Sequence, residues 1–302
     1  MNKFDREQLL LLGDFEVEVN LKNYSTMRVG GGCLGVFFPD SITNLVDGLK
    51  YLRSYEIPYK VLGKGSNVLC SDDYYHGVII KLDRYLNTYH REGNIVRVDA
   101  GCSIIKLAQE CSVMSLSGLQ YAGGIPGTIG GAIFMNAGAY NHNTAEITHR
   151  VLIIDENLEL KWLRYEDCDF SYRHSIFQTK NWLIVQAELI FEILPAHSIN
   201  KIMDNRKKRR VENQPLGVPS AGSCFKNPQE KHAWQYIDEA GLRGYRVGGA
   251  SVSNKHCNFI VNDQKGSADD VMAVINHVQS EVKKHSGIEL ERELELFNWH
   301  EK

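Results

Sequence analysis

The sequence predicts an α+β protein, not a regular series of strand–helix–strand units. Three observations point there. Strand-like and helix-like stretches are mixed along the chain without a fixed repeat. Two segments dense in glycine, Val61–Leu69 ("VLGKGSNVL") and Tyr121–Tyr140 ("YAGGIPGTIGGAIFMNAGAY"), adjoin strand-like stretches. Neither carries G-x-G-x-x-G or G-x-x-x-x-G-K-[ST], so neither a Rossmann dinucleotide fold nor a P-loop NTPase is supported. Finally, 302 residues, of which 43% are hydrophobic and 24% charged, suffice for two domains of ordinary globular composition.

The elements follow in order. "GVFFP" reads as a strand, after which Ser41 caps a helix with Ile42, Leu45, Val46, Leu49 and Leu52 at helical spacing. "YKVLG" and "GVIIKL" are strand-like, and "YHREGNIVRVDAG" is a hairpin turning at Glu92-Gly93-Asn94. Ser103 caps a helix that aligns Ile104, Leu107, Ala108 and Cys111. "RVLIIDENLELKWL" turns at Asp155-Glu156-Asn157, "NWLIVQAELIFEIL" is long and β-rich, and a helix runs through "SINKIMDNRKKRR". A boundary falls near residue 200, where the long strand gives way to this basic helix. In "SADDVMAVINHVQSEVKKHSG", Ser267 and Asp270 form a capping box, Val271, Val274, Ile275 and Val278 form the apolar stripe, and Gly287 ends the helix. The last piece, "IELERELELF", alternates strictly and reads as a strand, with Glu289, Glu291, Glu293 and Glu295 opposite Ile288, Leu290, Leu294 and Leu296.

Composition excludes several classes. A net charge of -3 argues against nucleic acid as a partner. No apolar run approaches the ~18 residues that span a bilayer, so no membrane insertion is expected. The N-terminal stretch, four leucines between acidic residues, does not read as a secretory signal. The seven cysteines are widely spaced and contain no C-x-x-C pair, which disfavours a disulfide scaffold or a zinc ribbon. No metal site is expected, and reduced thiols in a cytoplasm fit this usage.

Glycine at this density admits unusual backbone angles and close approach of backbone to a ligand, and successive amides can cradle an anion such as a diphosphate. Tight turns in a compact fold are the bland alternative, weakened by the occurrence of two such segments. In "SAGSCFKNP" (Ser220–Pro228), an extended chain would place Ser223, Phe225 and Asn227 on one face and Cys224 and Lys226 on the other. "RKKRR" (Arg206–Arg210) spreads over more than one helical face and reads by itself as solvated charge.

"YSTMRVGG", "LGKGSNVLCSDDYYHGVII", "AGGIPGTIGGAIFMNAGAY", "FSYRHSIF", "SAGSCFKNP", "AGLRGYRVGGASVSNKHCNFIVN" and "LEREL" occur in this order over nearly the whole chain. Together they resemble the UDP-N-acetylenolpyruvoylglucosamine reductase family, the flavoenzymes that complete UDP-N-acetylmuramate for bacterial peptidoglycan. The resemblance implies an FAD-binding fold of the vanillyl-alcohol oxidase type with an inserted α+β substrate-binding domain. The FAD-binding domain would span 1–198, as subdomains of about 1–83 and 84–198, and be completed by a C-terminal strand at 288–302. The substrate domain would be 199–287. The chain is similar to the shorter branch of the family, which lacks a loop bearing a substrate-clamping tyrosine.

The same resemblance assigns FAD as cofactor and NADPH as co-substrate, with UDP-N-acetylglucosamine enolpyruvate as substrate. Gly63, Gly65, Ser66 and Asn67 match a first diphosphate loop. Gly123, Ile125, Pro126, Thr128, Gly130 and Gly131 match a second, followed by Asn136, Ala137 and Gly138. At Asn141 the family commonly has glycine; Asn tolerates positive φ next best, so the same turn is expected. Ser223 matches the proton donor, Arg173 an arginine that grips the enolpyruvyl carboxylate, and Glu293 a carboxylic acid that assists proton delivery beside the flavin. Arg210, Asn227 and His256 match substrate-binding positions, Arg210 at the diphosphate. Two other readings stay open: a flavin oxidase of the same fold, and a non-enzymatic binder of flavin or sugar nucleotide. The latter need not keep Arg173, Ser223 and Glu293 together.

Overall fold

The structure is a computed structural model that describes residues 5–299. Residues 1–4 and 300–302, the outer ends of the expected 1–198 domain and 288–302 strand, lie outside the described residues. The chain forms two compact units. One contains the N-terminal stretch as far as Val17, Leu34–Lys64 and His76–Lys208; the other contains Glu18–Cys33, Gly65–Tyr75 and the chain from Arg209 on.

In the first unit, Gly13–Glu16 pairs antiparallel with the end of Gly32–Pro39, and Tyr59–Val61 pairs parallel with Tyr75–Ile80. The helix Ile42–Ser54 begins where expected, with Ser41 Oγ accepting from Asn44 N at 3.1 Å. Its Leu45, Leu49 and Leu52 are fully buried, which explains their spacing. A second, antiparallel sheet runs in the order Leu160–Arg164, Thr148–Ile154, Leu183–Ile190, Ile95–Asp99 and Tyr89–Glu92. Its two hairpins turn at the predicted places. In one of them Asp155 Oδ1 accepts from Asn157 N and Glu159 N, both at 2.9 Å. The long strand expected from "NWLIVQAELIFEIL" instead breaks at buried Phe191, whose amide donates to Asn94 O, and resumes as the short strand Glu192–Ile193.

The second unit has a four-stranded antiparallel sheet in the order Ser220–Ser223, Phe259–Val261, Ala250–Val252 and Arg246–Val247. The helix Ala268–Ser286 buries Val271, Val274, Ile275 and Val278 in this unit's core. Ser267 Oγ accepts from Asp270 N at 3.0 Å, and Gly287 ends the helix at φ 75°. Two stretches expected to lie within 1–198, residues 18–33 and 65–75, group with this unit. The reason is local: the turn at Gly65 packs on Tyr24–Thr26, and Val68–Cys70 pairs in parallel with Glu295–Phe297.

Two sequence readings need correction. "IELERELELF" forms a strand only over Glu295–Phe297. Its earlier part pairs with the chain after Ser223, through a bridge between Phe225 and Arg292 and a bond from Lys226 N to Glu291 O. "SAGSCFKNP" is extended only as far as Ser223. Gly222 has φ 77°, the register against Phe259–Val261 shifts there, and the chain bends at Cys224. Cys224 and Phe225 are both 1% exposed, so simple alternation of faces does not hold across them.

Candidate active site

Each unit carries its own cluster of the residues singled out by sequence. In the first, the two glycine segments meet. A Cβ on Gly63 would stand 2.7 Å from Thr128 Oγ1, so only glycine permits this approach. Thr128 is buried and caps the helix Ile129–Phe134, its Oγ1 accepting from Gly131 N at 3.2 Å. The amides of Ile129 and Gly130 donate to Cys102 O (2.9 Å) and Ala100 O (2.8 Å). Amide donors for a phosphate in this segment are therefore sought at Gly123, Gly124, Gly127 and Thr128, ahead of the helix, rather than in its first turn. Gly130 has a packing reason of its own, since its Cβ would lie 2.9 Å from that of Ala100. Gly131 is exposed and its Cβ position meets only Thr128 Oγ1, at 3.5 Å. Ile125 is half-buried and Pro126 exposed, on the turn closed by Ile125 N donating to Ala122 O. Side-chain-free backbone at Gly63, Gly123–Gly124 and Gly131, in turns close to the start of the helix, fits the diphosphate of a bound FAD.

Asn136, Ala137 and Gly138 continue this cluster. Asn136 is 3% exposed at φ 41°; its Oδ1 accepts from Ala145 N and its Nδ2 donates to Ser171 O. Its polar atoms thus hold the scaffold together. Ala137 O accepts from Thr144 N and Thr144 Oγ1. Gly138–Ala139 and His142–Asn143 form a hairpin turning at Tyr140 (φ 58°) and Asn141 (φ 62°), the positive-φ pair of a tight hairpin turn, as expected at Asn141.

Arg173 lies on the tight turn between Ser171 and His174, which exchange backbone hydrogen bonds. It is a non-glycine residue at φ 55°, a conformation that has to be held from outside. Gln178 does so: its Nε2 donates to Arg173 O (3.1 Å) and to Phe134 O (3.0 Å). The half-buried guanidinium donates from Nη2 to Gly138 O at 2.8 Å, tying it to the second glycine segment. On the helix Ala196–Asn213, Met203, Arg206 and Arg210 are the half-buried members of one stripe, while Lys207, Lys208 and Arg209 are exposed. Arg206 stacks 4.9 Å over Tyr140, and burial pulls its pKa down.

In the second unit, Gly65 (φ 59°) is the turn of the first glycine segment, with Ser66 and Asn67 following half-buried. Asn67 Nδ2 donates to Glu293 O at 3.1 Å, and Asn67 O accepts from Glu295 N at 2.8 Å. Glu293 N donates to Cys224 O at 2.8 Å. The Asn67 side chain and the carbonyl of Cys224, the residue following Ser223, thus both bind the backbone of Glu293, although the three lie far apart in sequence. Ser223 and Glu293 are both half-buried. Cys224 is not a reactive thiol, because burial pushes its pKa up and disfavours the thiolate. All seven cysteines are buried, and burial holds those at Cys102 and Cys257 near 11 and at Cys70 near 12.

Sequence reasoning did not single out Asn258. Its Oδ1 accepts from Phe225 N (3.0 Å), its Nδ2 donates to Phe225 O (2.8 Å), and its backbone carbonyl accepts from Cys224 N (2.7 Å). It fixes the bend beside Ser223; the one available signal was its place in "SVSNKHCNFIVN". Asn227 is exposed and its Oδ1 accepts from Ala233 N at the start of the helix Ala233–Glu239. His256 is half-buried, edge-on to Phe259 at 5.0 Å; its Nδ1 has no protein partner, and burial lowers its pKa. Among the described residues no three His, Cys, Asp or Glu side chains cluster as a metal site, and no helix is long and apolar enough to cross a membrane.

A family model described as the UDP-N-acetylenolpyruvoylglucosamine reductase C-terminal domain matches residues 214–297, and one described as an FAD binding domain matches residues 33–163. The chain is 38% identical over 290 residues to the UDP-N-acetylenolpyruvoylglucosamine reductase of Caldanaerobacter subterraneus subsp. tengcongensis, covering 96% of each. It is 39% identical over 277 residues to that of Bacillus subtilis, covering 91% of each. A solved structure of the reductase from Thermus caldophilus aligns with a TM-score of 0.82 at 34% identity, over 94% of this chain and 100% of that one.

Proposed function

The chain belongs to the UDP-N-acetylenolpyruvoylglucosamine reductase family, with an FAD-binding domain, and from that premise we propose that it reduces UDP-N-acetylglucosamine enolpyruvate to UDP-N-acetylmuramate for peptidoglycan. FAD, when bound, carries hydride from NADPH to the terminal vinyl carbon of the substrate. Arg173 holds the enolpyruvyl carboxylate and stabilises the negative charge that builds on it. Ser223 gives its hydroxyl proton to the α-carbon, and Glu293 supports that transfer as a general acid. Arg210 offers positive charge to the substrate diphosphate. Asn227 and His256 line the substrate, the latter as a neutral imidazole, in keeping with its lowered pKa. In the division of labour we propose, 1–198 with the return at 288–302 binds FAD and 199–287 binds substrate. The reaction belongs in the cytoplasm, where NADPH is supplied.

The observation that carries this reading is the hydrogen-bonded junction of the Asn67 side chain with the backbone of Glu293 and Cys224, which brings a cofactor motif, the Ser223 motif and the Glu293 motif to one place. A flavin or sugar-nucleotide binder without chemistry has no need of that junction. The test is anaerobic. Purified protein loaded with FAD should bleach with NADPH and recover its yellow colour on addition of the enolpyruvyl substrate, forming one UDP-N-acetylmuramate per NADPH. A protein that cannot be loaded with FAD refutes the reading. One that regains colour only with oxygen points to the oxidase alternative.

A further inference from the structure

One buried charge in the first unit has no part in the chemistry above. Lys81 is 5% exposed, at the end of a strand whose neighbours are apolar. Its ammonium donates to Gly63 O at 2.5 Å and to Leu62 O at 3.4 Å, and lies 3.4 Å from Asp83 Oδ1. Asp83 in turn pairs with Lys64 at 2.7 Å. Burial lowers the Lys81 pKa, and Asp83 opposes the shift. A buried charge of this kind adds little to stability compared with an apolar residue of similar size, so its presence calls for another reason.

Peptide planarity supplies one. The described chain contains no cis peptide, so each carbonyl points opposite to the amide of the next residue. Two successive carbonyls drawn towards Lys81 turn the amides of Gly63 and Lys64 the other way, side by side. Successive amides facing one direction form an anion-binding concavity. At Gly63 the second glycine segment also approaches, through Thr128.

We propose that Lys81 is a cofactor-positioning residue: its ammonium holds the Leu62 and Gly63 carbonyls inward, so that the amides of Gly63 and Lys64 present a diphosphate-binding face backed by a buried positive charge. This rests on the assignment of Gly63 to the FAD diphosphate. Apoprotein is titrated with FAD, and separately with riboflavin, which has no diphosphate. Lys81→Met, assayed below its own melting transition, should lose at least tenfold in FAD affinity and bind riboflavin unchanged. Lys81→Arg keeps a buried cation without removing Asp83, which helps hold the charge, and should bind FAD within about threefold of wild type. FAD affinity within twofold of wild type in Lys81→Met, or an equal loss for riboflavin, overturns the proposal. Should Lys81→Met not fold, a tenfold loss of FAD affinity in a Lys81→Arg variant that melts as wild type does overturns it instead. A wild-type apoprotein that takes up no FAD refutes the cofactor assignment, a different outcome from any of these.

Discussion

Gly65 and Gly93 offer a paired test of close backbone approach. Their φ angles are nearly the same, 59° and 62°. A Cβ on Gly93, at the tip of a hairpin, meets nothing within 4 Å. A Cβ on Gly65 would stand 2.2 Å from Tyr24 O and 2.8 Å from Ser25 Cα, both backbone atoms that no rotamer change can clear. Alanine at positive φ costs about 1–2 kcal/mol at either site. At Gly65 the Tyr24–Ser25 backbone must also retreat, and that segment is tied down. Thr26 N donates to Gly65 O (3.0 Å), Ser220 N donates to Thr26 O (3.1 Å), and Thr26 Oγ1 donates to Ser220 O (2.6 Å). Overpacking adds about 1–3 kcal/mol, and straining one of these bonds about 1 kcal/mol more. Gly65→Ala should therefore lose about 3–6 kcal/mol and Gly93→Ala about 1–2 kcal/mol, read as shifts of the urea midpoint at constant m. Gly65→Ala should also purify with less FAD, while Gly93→Ala keeps the wild-type complement. Equal stability losses in the two variants would refute the steric argument, leaving φ as the whole effect.

Three further outcomes are expected. Ser223→Ala should still let NADPH reduce the flavin but slow its reoxidation by substrate about 10²- to 10⁴-fold; Cys224→Ala should keep turnover and lose about 1 kcal/mol from the small cavity left in the core. Stopped-flow absorbance of the two half-reactions decides between the neighbours. Glu293→Gln should slow the same reoxidation about 10²-fold, and near-wild-type reoxidation would remove Glu293 from the proton-delivery role. Glu188 is held at a pKa of about 2, first by hydrogen bonds from Arg150 and then by those from Arg97. A carboxyl depressed in the folded state stabilises above its unfolded pKa, and that stability is lost as pH falls towards the folded one. The advantage of wild type over Glu188→Gln should be about 1–2 kcal/mol near pH 6, given that both arginines are partly exposed, and should vanish between pH 4.5 and 2 in acid-denaturation curves.

What could be read in advance is what the chain decides locally. Caps at Ser41, Ser103 and Ser267 and the stripes behind them depend on residues three or four apart, and all three serines accept the expected amide. The alternation of "IELERELELF" also survives as burial, with Leu290 and Leu294 inside and Glu289 and Glu291 outside. It failed as a strand because the segment has two partners in succession, the chain after Ser223 and then Val68–Cys70. No local pattern encodes that change. Arg173 at positive φ was invisible for the same reason, since the residue that holds it there, Gln178, also binds Phe134 O from a different motif.

The glycines show most directly why the order of the motifs told more than any single one. A glycine carries no side chain, so its requirement is written in the atoms it must approach. Gly65 answers to Tyr24 of "YSTMRVGG", Gly63 to Thr128 of the second glycine segment, and Gly138 presents its carbonyl to Arg173 of "FSYRHSIF". Each short motif is one half of a contact whose other half is another motif. A chance match to one would leave its partner atoms unspecified, whereas several in register specify both sides of each contact.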